Sequence, residues 1–199
     1  MVKKTDIRII RSRAAIRHAF LELLKERDYH SITISDIAQR AMINRKTFYF
    51  HYDTKNDLYD EIITDTLNVF SSMHIIEKLR KSDKKSQSDI LLELLNKVIT
   101  VKDECIILLD NDSGNVFNRR LKQLLYRALI TESLVSDSAK SDPAFFDLLT
   151  DVYFSTFTRV LKWWLVGENN DPTAFLDMIK MLFSSRPLEI LGLKEDVLG

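Results

Sequence analysis

Apolar residues between Arg11 and Arg27 fall at Ile16, Ala19, Phe20, Leu23 and Leu24, the spacing that lays one stripe along an α-helix. Arg13, Arg17 and Lys25 lie off that stripe. The pattern breaks at Asp28 to Ile32. It restarts with Thr33 and Asp36, spaced as an N-cap and a first-turn acid, followed by Ile37, Ala38 and Ala41 in a short helix. After a joint at Met42-Ile43, Asn44 supplies the next N-cap and opens the segment Arg45 to Tyr52, which Asp53-Thr54 closes. Two short helices with a tight joint predict a helix-turn-helix. Thr54 and Asp57 open a longer helix. Leu58, Tyr59, Ile62, Ile63, Thr66, Leu67 and Phe70 mark its buried side, and the pattern carries it to about residue 76.

The run Arg80 to Asp89 contains no apolar residue and is expected to be a mobile loop. Ile90, Leu91, Leu94, Leu95, Val98 and Ile99 then begin a second helical array. Cys105 to Leu109 continue it, as do Phe117, Leu121, Leu124, Leu125, Ala128 and Leu129. Asp142-Pro143 and Asp171-Pro172 each place a capping acid before proline at a first helical position, predicting two further helices that end at Gly167 and Pro187. The first of these is apolar around most of its circumference, from Phe145 to Leu165, and so needs cover on two sides: its own bundle and a partner subunit. Trp163 and Trp164 are adjacent and therefore point about 100° apart, one toward the core and the other toward an interface. The expected fold is all-α.

Composition narrows the class further. Four glycines and three prolines in 199 residues are too few for the turns of an all-β sandwich. The single Cys105 excludes an internal disulfide or a cysteine-built zinc site, and it reads as a buried small apolar residue. No apolar run approaches the ~20 residues needed to span a bilayer. The start Met1-Val2-Lys3-Lys4 leads into no apolar signal segment, so a cytoplasmic protein with no membrane partner is expected. The net charge of zero hides an asymmetry. Residues up to Lys55 hold twelve basic and six acidic side chains, a net of +6, which leaves −6 for the remainder. A basic end suits a polyanion such as nucleic acid.

The helix after Asn44 gives that charge a shape. Phe48 and Tyr52, four apart, are placed to pack inward, while Lys46, Thr47 and Phe50 occupy the opposite direction and Tyr49 and His51 the flanks. A face carrying a cation, a hydroxyl and an aromatic ring suits a DNA major groove, with base edges in front and phosphates at the sides. Lys55, in the first turn of the next helix, adds a cation where free backbone N–H groups already favour a phosphate. No Ser/His/Asp arrangement, P-loop, glycine-rich nucleotide motif or HExxH is visible, and the four histidines lack metal-ligand spacing. No catalytic, cofactor or metal site is therefore expected, and the chain is not read as an enzyme.

The run ITISDIAQRAMINRKTFYFHYDTKNDLYDEI, preceded by AAIRHAFLELLKERDYHSI, resembles the DNA-binding domain of the tetracycline-repressor (TetR) family over roughly residues 8 to 63. The resemblance implies a homodimer whose third helix enters the major groove of a double-stranded, palindromic operator. It implies DNA contacts from Thr47, Tyr49, His51 and Lys55, and from the variable positions Arg45 and Lys46. Family members often carry glycine where this chain has Met42, so the joint between the two helices is expected to be set differently. The segment KWWLVGENNDPTAFLDMIKMLF resembles a Gram-positive branch of the family that includes activators of dihydroxyacetone metabolism. Together these readings divide the chain into a DNA-binding domain at 1–54 and an effector-binding and dimerisation domain at 55–199. A small-molecule effector, bordered by Ile90 to Ile99 and Phe117 to Leu129, would release a repressor from DNA. The alternative is a DNA-bound regulator controlled by a protein partner, with no small-molecule inducer.

Overall fold

The stripe from Ile16 to Leu24 is the buried side of helix α1, which spans Lys4–Glu26 and so starts earlier than the stripe does. Each added residue extends an existing helix at the cost of no new nucleus, and Ser12 Oγ bonds the Arg8 carbonyl at 2.9 Å within the extension. The computed structural model describes residues 4–70, 81–111, 115–131 and 143–182, and among these the only regular structure is helical. A short 3₁₀ turn, Tyr29–Ser31, follows α1. Helices α2 (Ile34–Arg40), α3 (Arg45–His51) and α4 (Lys55–Phe70) come next. They are followed by α5 (Lys84–Thr100), α6 (Lys102–Asp110), α7 (Val116–Thr131), α8 (Pro143–Val166) and α9 (Pro172–Leu182). Continuation of α4 to residue 76, the Asp142 cap and the end at Pro187 lie outside the described residues.

The polar run is not a loop along its whole length. From Lys84 it is helix, because Asp83 acts as a cap: its carboxylate accepts the Ser86 backbone N–H at 2.8 Å and its carbonyl accepts that of Gln87 at 2.9 Å. Such a start needs no apolar residue, and a periodicity search passes over it.

Two compact units divide the chain. The first contains α1 to α4, α6 and the beginning of α7; the second contains α5, the end of α7, α8 and α9. In the first, α1 packs on α2, α3 and α6, and α4 packs on α6. Phe20 meets Tyr29 and Tyr59 edge-on, with ring centres 6.2 and 6.1 Å apart, around a core that includes Ile16, Leu24, Ile37, Phe48, Leu58 and Ile62. Burying each such side chain stabilises by about 1.5–3 kcal/mol. Asn111 joins three elements: its amide donates to the Leu24 carbonyl at 2.7 Å, its backbone N–H bonds Ile107 in α6, and its carbonyl accepts the Tyr59 hydroxyl at 3.1 Å. Arg17 of α1 reaches Asp65 of α4 at 2.8 Å and Glu104 of α6 at 3.9 Å. Cys105 is fully buried, and burial, with the nearby Glu104 charge, pushes its thiol up to about 12.

In the second unit, α5 packs on α9. Trp164 stacks on Phe175 at 4.4 Å and donates its indole N–H to the Asp171 carbonyl. Asp171 caps α9 through the Thr173 N–H at 2.9 Å, as the Asp-Pro pair predicts. Trp164 is buried and Trp163 is 67% exposed, which accords with the 100° offset between neighbours. Leu95 and Val98 are buried residues of this unit, whereas Phe117 and Leu121 are buried residues of the first. Of the two stretches expected to border one effector, Ile90 to Ile99 thus lies in the second unit, whereas Phe117 to Leu129 is divided between the two. No described helix is long and apolar enough to cross a membrane.

Candidate nucleic-acid interface

Local hydrogen bonding sets the helix-turn-helix. Thr33 and Asp36 form a reciprocal capping box: Asp36 N–H donates to Thr33 Oγ1 at 3.2 Å and Thr33 N–H to the Asp36 carboxylate at 2.8 Å. Helix α2 ends in a Schellman turn, with Met42 N–H on the Gln39 carbonyl and Ile43 N–H on the Ala38 carbonyl. Met42 occupies its left-handed position at φ 53°, where glycine costs nothing. The joint therefore keeps the glycine-type conformation, and the expectation of a different setting does not hold at the backbone. The Met42 side chain is left 92% exposed.

Asn44 then caps α3 through the Lys46 N–H at 2.9 Å. Phe48 is fully buried and Tyr52 nearly so, so these two anchor the helix from one side. On the other sides Arg45, Lys46, Tyr49 and Phe50 are exposed, Phe50 to 68%, and Thr47 is half-buried. The charged groups of Arg45 and Lys46 have no partner among the described residues. The sequence wheel thus places the anchors and the open face where the structure has them.

His51 and Lys55 stand apart from that open face. His51 is half-buried, with Nε2 2.6 Å from Ser12 Oγ of α1. Burial, with the nearby Arg13 charge, holds its imidazole below the ordinary value. Lys55 donates to the carbonyls of Tyr29 and Ile32, both at 2.6 Å, and lies 4.1 Å from the centre of the Tyr29 ring. Burial lowers its pKa. Its ammonium is occupied in holding the 3₁₀ turn, a use that the first-turn position alone does not reveal.

Sequence reasoning passed over the clasp behind α3. The Tyr52 hydroxyl donates to Glu61 of α4 at 2.9 Å and accepts from Arg13 of α1 at 3.3 Å, and Arg13 and Glu61 form a paired contact. Burial acts to raise the Glu61 carboxyl, but the bonds from Arg13 and Tyr52 outweigh it and hold the group below its usual range. Arg13 and Glu61 are 48 positions apart, so no local spacing connects them. Tyr29 likewise donates its hydroxyl to Asn56, closing the 3₁₀ turn onto the start of α4.

Capped scaffold, buried anchors and an open cationic and aromatic face form a helix-turn-helix. Residues 16–62 match the sequence model described as bacterial regulatory proteins, tetR family. Over that stretch the chain is similar to the DNA-binding region of the TetR family. It is 47% identical over 62 residues to an uncharacterised HTH-type transcriptional regulator, YxbF, of Bacillus subtilis (strain 168), covering 31% of this chain and 16% of that protein. To the biofilm operon icaADBC HTH-type negative transcriptional regulator IcaR of Staphylococcus epidermidis it is 30% identical over 84 residues, 42% of this chain and 43% of the relative. To the HTH-type dhaKLM operon transcriptional activator DhaS of Lactococcus lactis it is 42% identical over 43 residues, 22% of this chain and 23% of the relative. The chain thus spans less than half the length of each of these curated relatives. The crystal structure of a TetR transcriptional regulator from Streptococcus agalactiae 2603V superposes with a TM-score of 0.57 at 26% identity, covering 88% of this chain and 97% of that one. These relatives are named as regulators of transcription, not as enzymes.

Proposed function

We propose that this TetR-type protein is a DNA-binding transcriptional regulator of the cytoplasm, acting as a homodimer on a palindromic double-stranded operator. Residues 1–54 form its DNA-binding domain and 55–199 its effector-binding and dimerisation domain. The observation that carries the reading is α3 itself. A helix of seven residues, about 10 Å long, is anchored by Phe48 and Tyr52 and leaves open two aromatic rings and two cations that have no partner among the described residues. With its side chains an α-helix is about 10–12 Å across, which suits a major groove about 12 Å wide. Arg45, Lys46, Thr47, Tyr49 and Phe50 meet the DNA, while His51 and Lys55 hold the element that presents them.

The dimer is supported by α8, on which Phe145, Leu148 and Val152 form an exposed stripe at 3- and 4-residue spacing, with Trp163 and Val166 exposed further along. Such a stripe is unfavourable in water and suits an isologous interface between two copies. Repression is the sign we assign, in line with the likeness to a negative regulator. Release by a small molecule requires that the molecule bind the DNA-competent and DNA-incompetent shapes unequally; a hundredfold difference corresponds to about 2.7 kcal/mol.

Selection of bound duplexes from random DNA, followed by titration against salt and then against cellular metabolites, tests all of this. An inverted repeat should emerge, with affinity falling by a log–log slope of about 0.9 per phosphate contact. Equal weak affinity for every duplex would sink the regulator. A selected operator insensitive to every metabolite would instead point to control by a protein partner.

A further inference from the structure

The cations on α3 have an obvious counterpart in phosphate and in guanine edges; the phenyl ring of Phe50 has neither. It is 68% exposed on a helix whose other phenylalanine is fully buried, so the exposure belongs to the position rather than to a loosely packed helix. Thr47 lies three residues before it and Lys46 four before, so all three share one helical face. The ring stands edge-on to the partly buried His51 ring, with centres 5.2 Å apart and planes at 84°, and His51 is in turn held by Ser12 at 2.6 Å. Phe50 is therefore a braced apolar knob amid cations, on a surface left open among the described residues.

In a major groove, one base presents an apolar group to such a knob. Thymine carries a 5-methyl group, whereas the remaining edge groups are hydrogen-bond donors and acceptors that a phenyl ring cannot satisfy. Placing the ring against an amino or keto edge would strip that group of water without replacement. We infer that Phe50 is a specificity-determining residue that selects thymine, through its 5-methyl group, at one fixed position in each half-site of the operator. The inference rests on the DNA-binding reading above. It narrows the ligand from duplex DNA to a methyl-bearing pyrimidine at the site facing Phe50.

The test uses the full-length protein and the duplex chosen by random selection. Each thymine of a half-site is replaced in turn by deoxyuridine, which removes only the methyl group, and affinity is measured by fluorescence anisotropy at one salt concentration. One position is expected at which the replacement weakens binding roughly fourfold, and roughly fifteenfold when made in both half-sites. Deoxycytidine at that position should be improved by 5-methylation. Phe50→Ala, at an exposed position where little folding stability is at stake, should bind the thymine and deoxyuridine duplexes equally and should retain the wild-type Tm. If a selected operator exists but no deoxyuridine replacement affects the wild type, or if Phe50→Ala keeps the same discrimination, the assignment of Phe50 is overturned and the DNA-binding reading stands. If no sequence is selected at all, both fall together.

Discussion

Met42 carries a measurable strain. At φ 53° an L-residue brings its Cβ toward the carbonyl oxygen, a conformation that costs roughly 1–2 kcal/mol, and the 92% exposed side chain gains little packing from the described residues in return. Met42→Gly should therefore stabilise the folded chain by about 0.5–1 kcal/mol once the greater freedom of glycine in the unfolded state is counted, seen as a higher Tm in a thermal melt. A lower Tm would mean that the methionine makes a contact that matters. His51 gives a second prediction at this scale. Its folded pKa is depressed by burial and by Arg13, with Glu61 the opposing carboxylate, so the unfolded chain binds the proton more readily. The stability contributed here is full above about pH 6.5 and is lost as pH falls through the lower folded value. Melts between pH 7.5 and 5.5 should show this decline in the wild type, and a shallower one in His51→Gln.

Between elements, the informative contrast is between two lysines nine residues apart in chain order. Lys46 is exposed on α3, with no partner for its ammonium among the described residues, whereas Lys55 at the start of α4 bonds two carbonyls of the 3₁₀ turn. Lys46→Ala should leave folding stability within about 0.5 kcal/mol of the wild type and reduce the salt slope of DNA binding by about 0.9. Lys55→Ala should do the reverse: a loss of about 1–3 kcal/mol in stability, from two carbonyls deprived of a charged donor, with the salt slope unchanged. Equal slope losses for both variants would return Lys55 to the DNA surface. The clasp of Arg13, Tyr52 and Glu61 acts on the same scale, since it ties the end of α3 to both α1 and α4 and limits how far α3 can tilt.

For the whole molecule, the exposed stripe of α8 sets the expectation. Leu148→Glu places a charge in its middle without disturbing a buried residue, as Leu148 is 59% exposed. Light scattering at micromolar concentration should show dimers for the wild type and monomers for the variant, and the variant should lose most of its operator affinity, because two half-sites would no longer be engaged together. Recognition helices in the dimer are expected about one duplex turn apart, ~34–36 Å, so inserting half a turn between half-sites should abolish tight binding. A wild-type monomer that binds a single half-site tightly would refute the arrangement.

Periodicity and capping residues were enough to read the helix-turn-helix. Thr33 with Asp36, Asn44, Thr54 with Asp57 and Asp171 with Pro172 act within a few residues of the helix they start, so their signals are local and survive in one dimension. The two faces of α3 were legible for the same reason, since Phe48 and Tyr52 recur at the helical period. The uses of Lys55, His51 and Arg13 were decided only in three dimensions. Their partners lie 23 to 48 residues away, and a hydrogen bond over such a separation leaves no spacing to read. Asp83 escaped because a polar cap in a polar run looks like loop until the helix behind it is seen. Apolar periodicity groups the start of α7 with α5 in one array, although Phe117 and Leu95 belong to different units. Apolar periodicity states that a face is buried, and only the folded chain states against what.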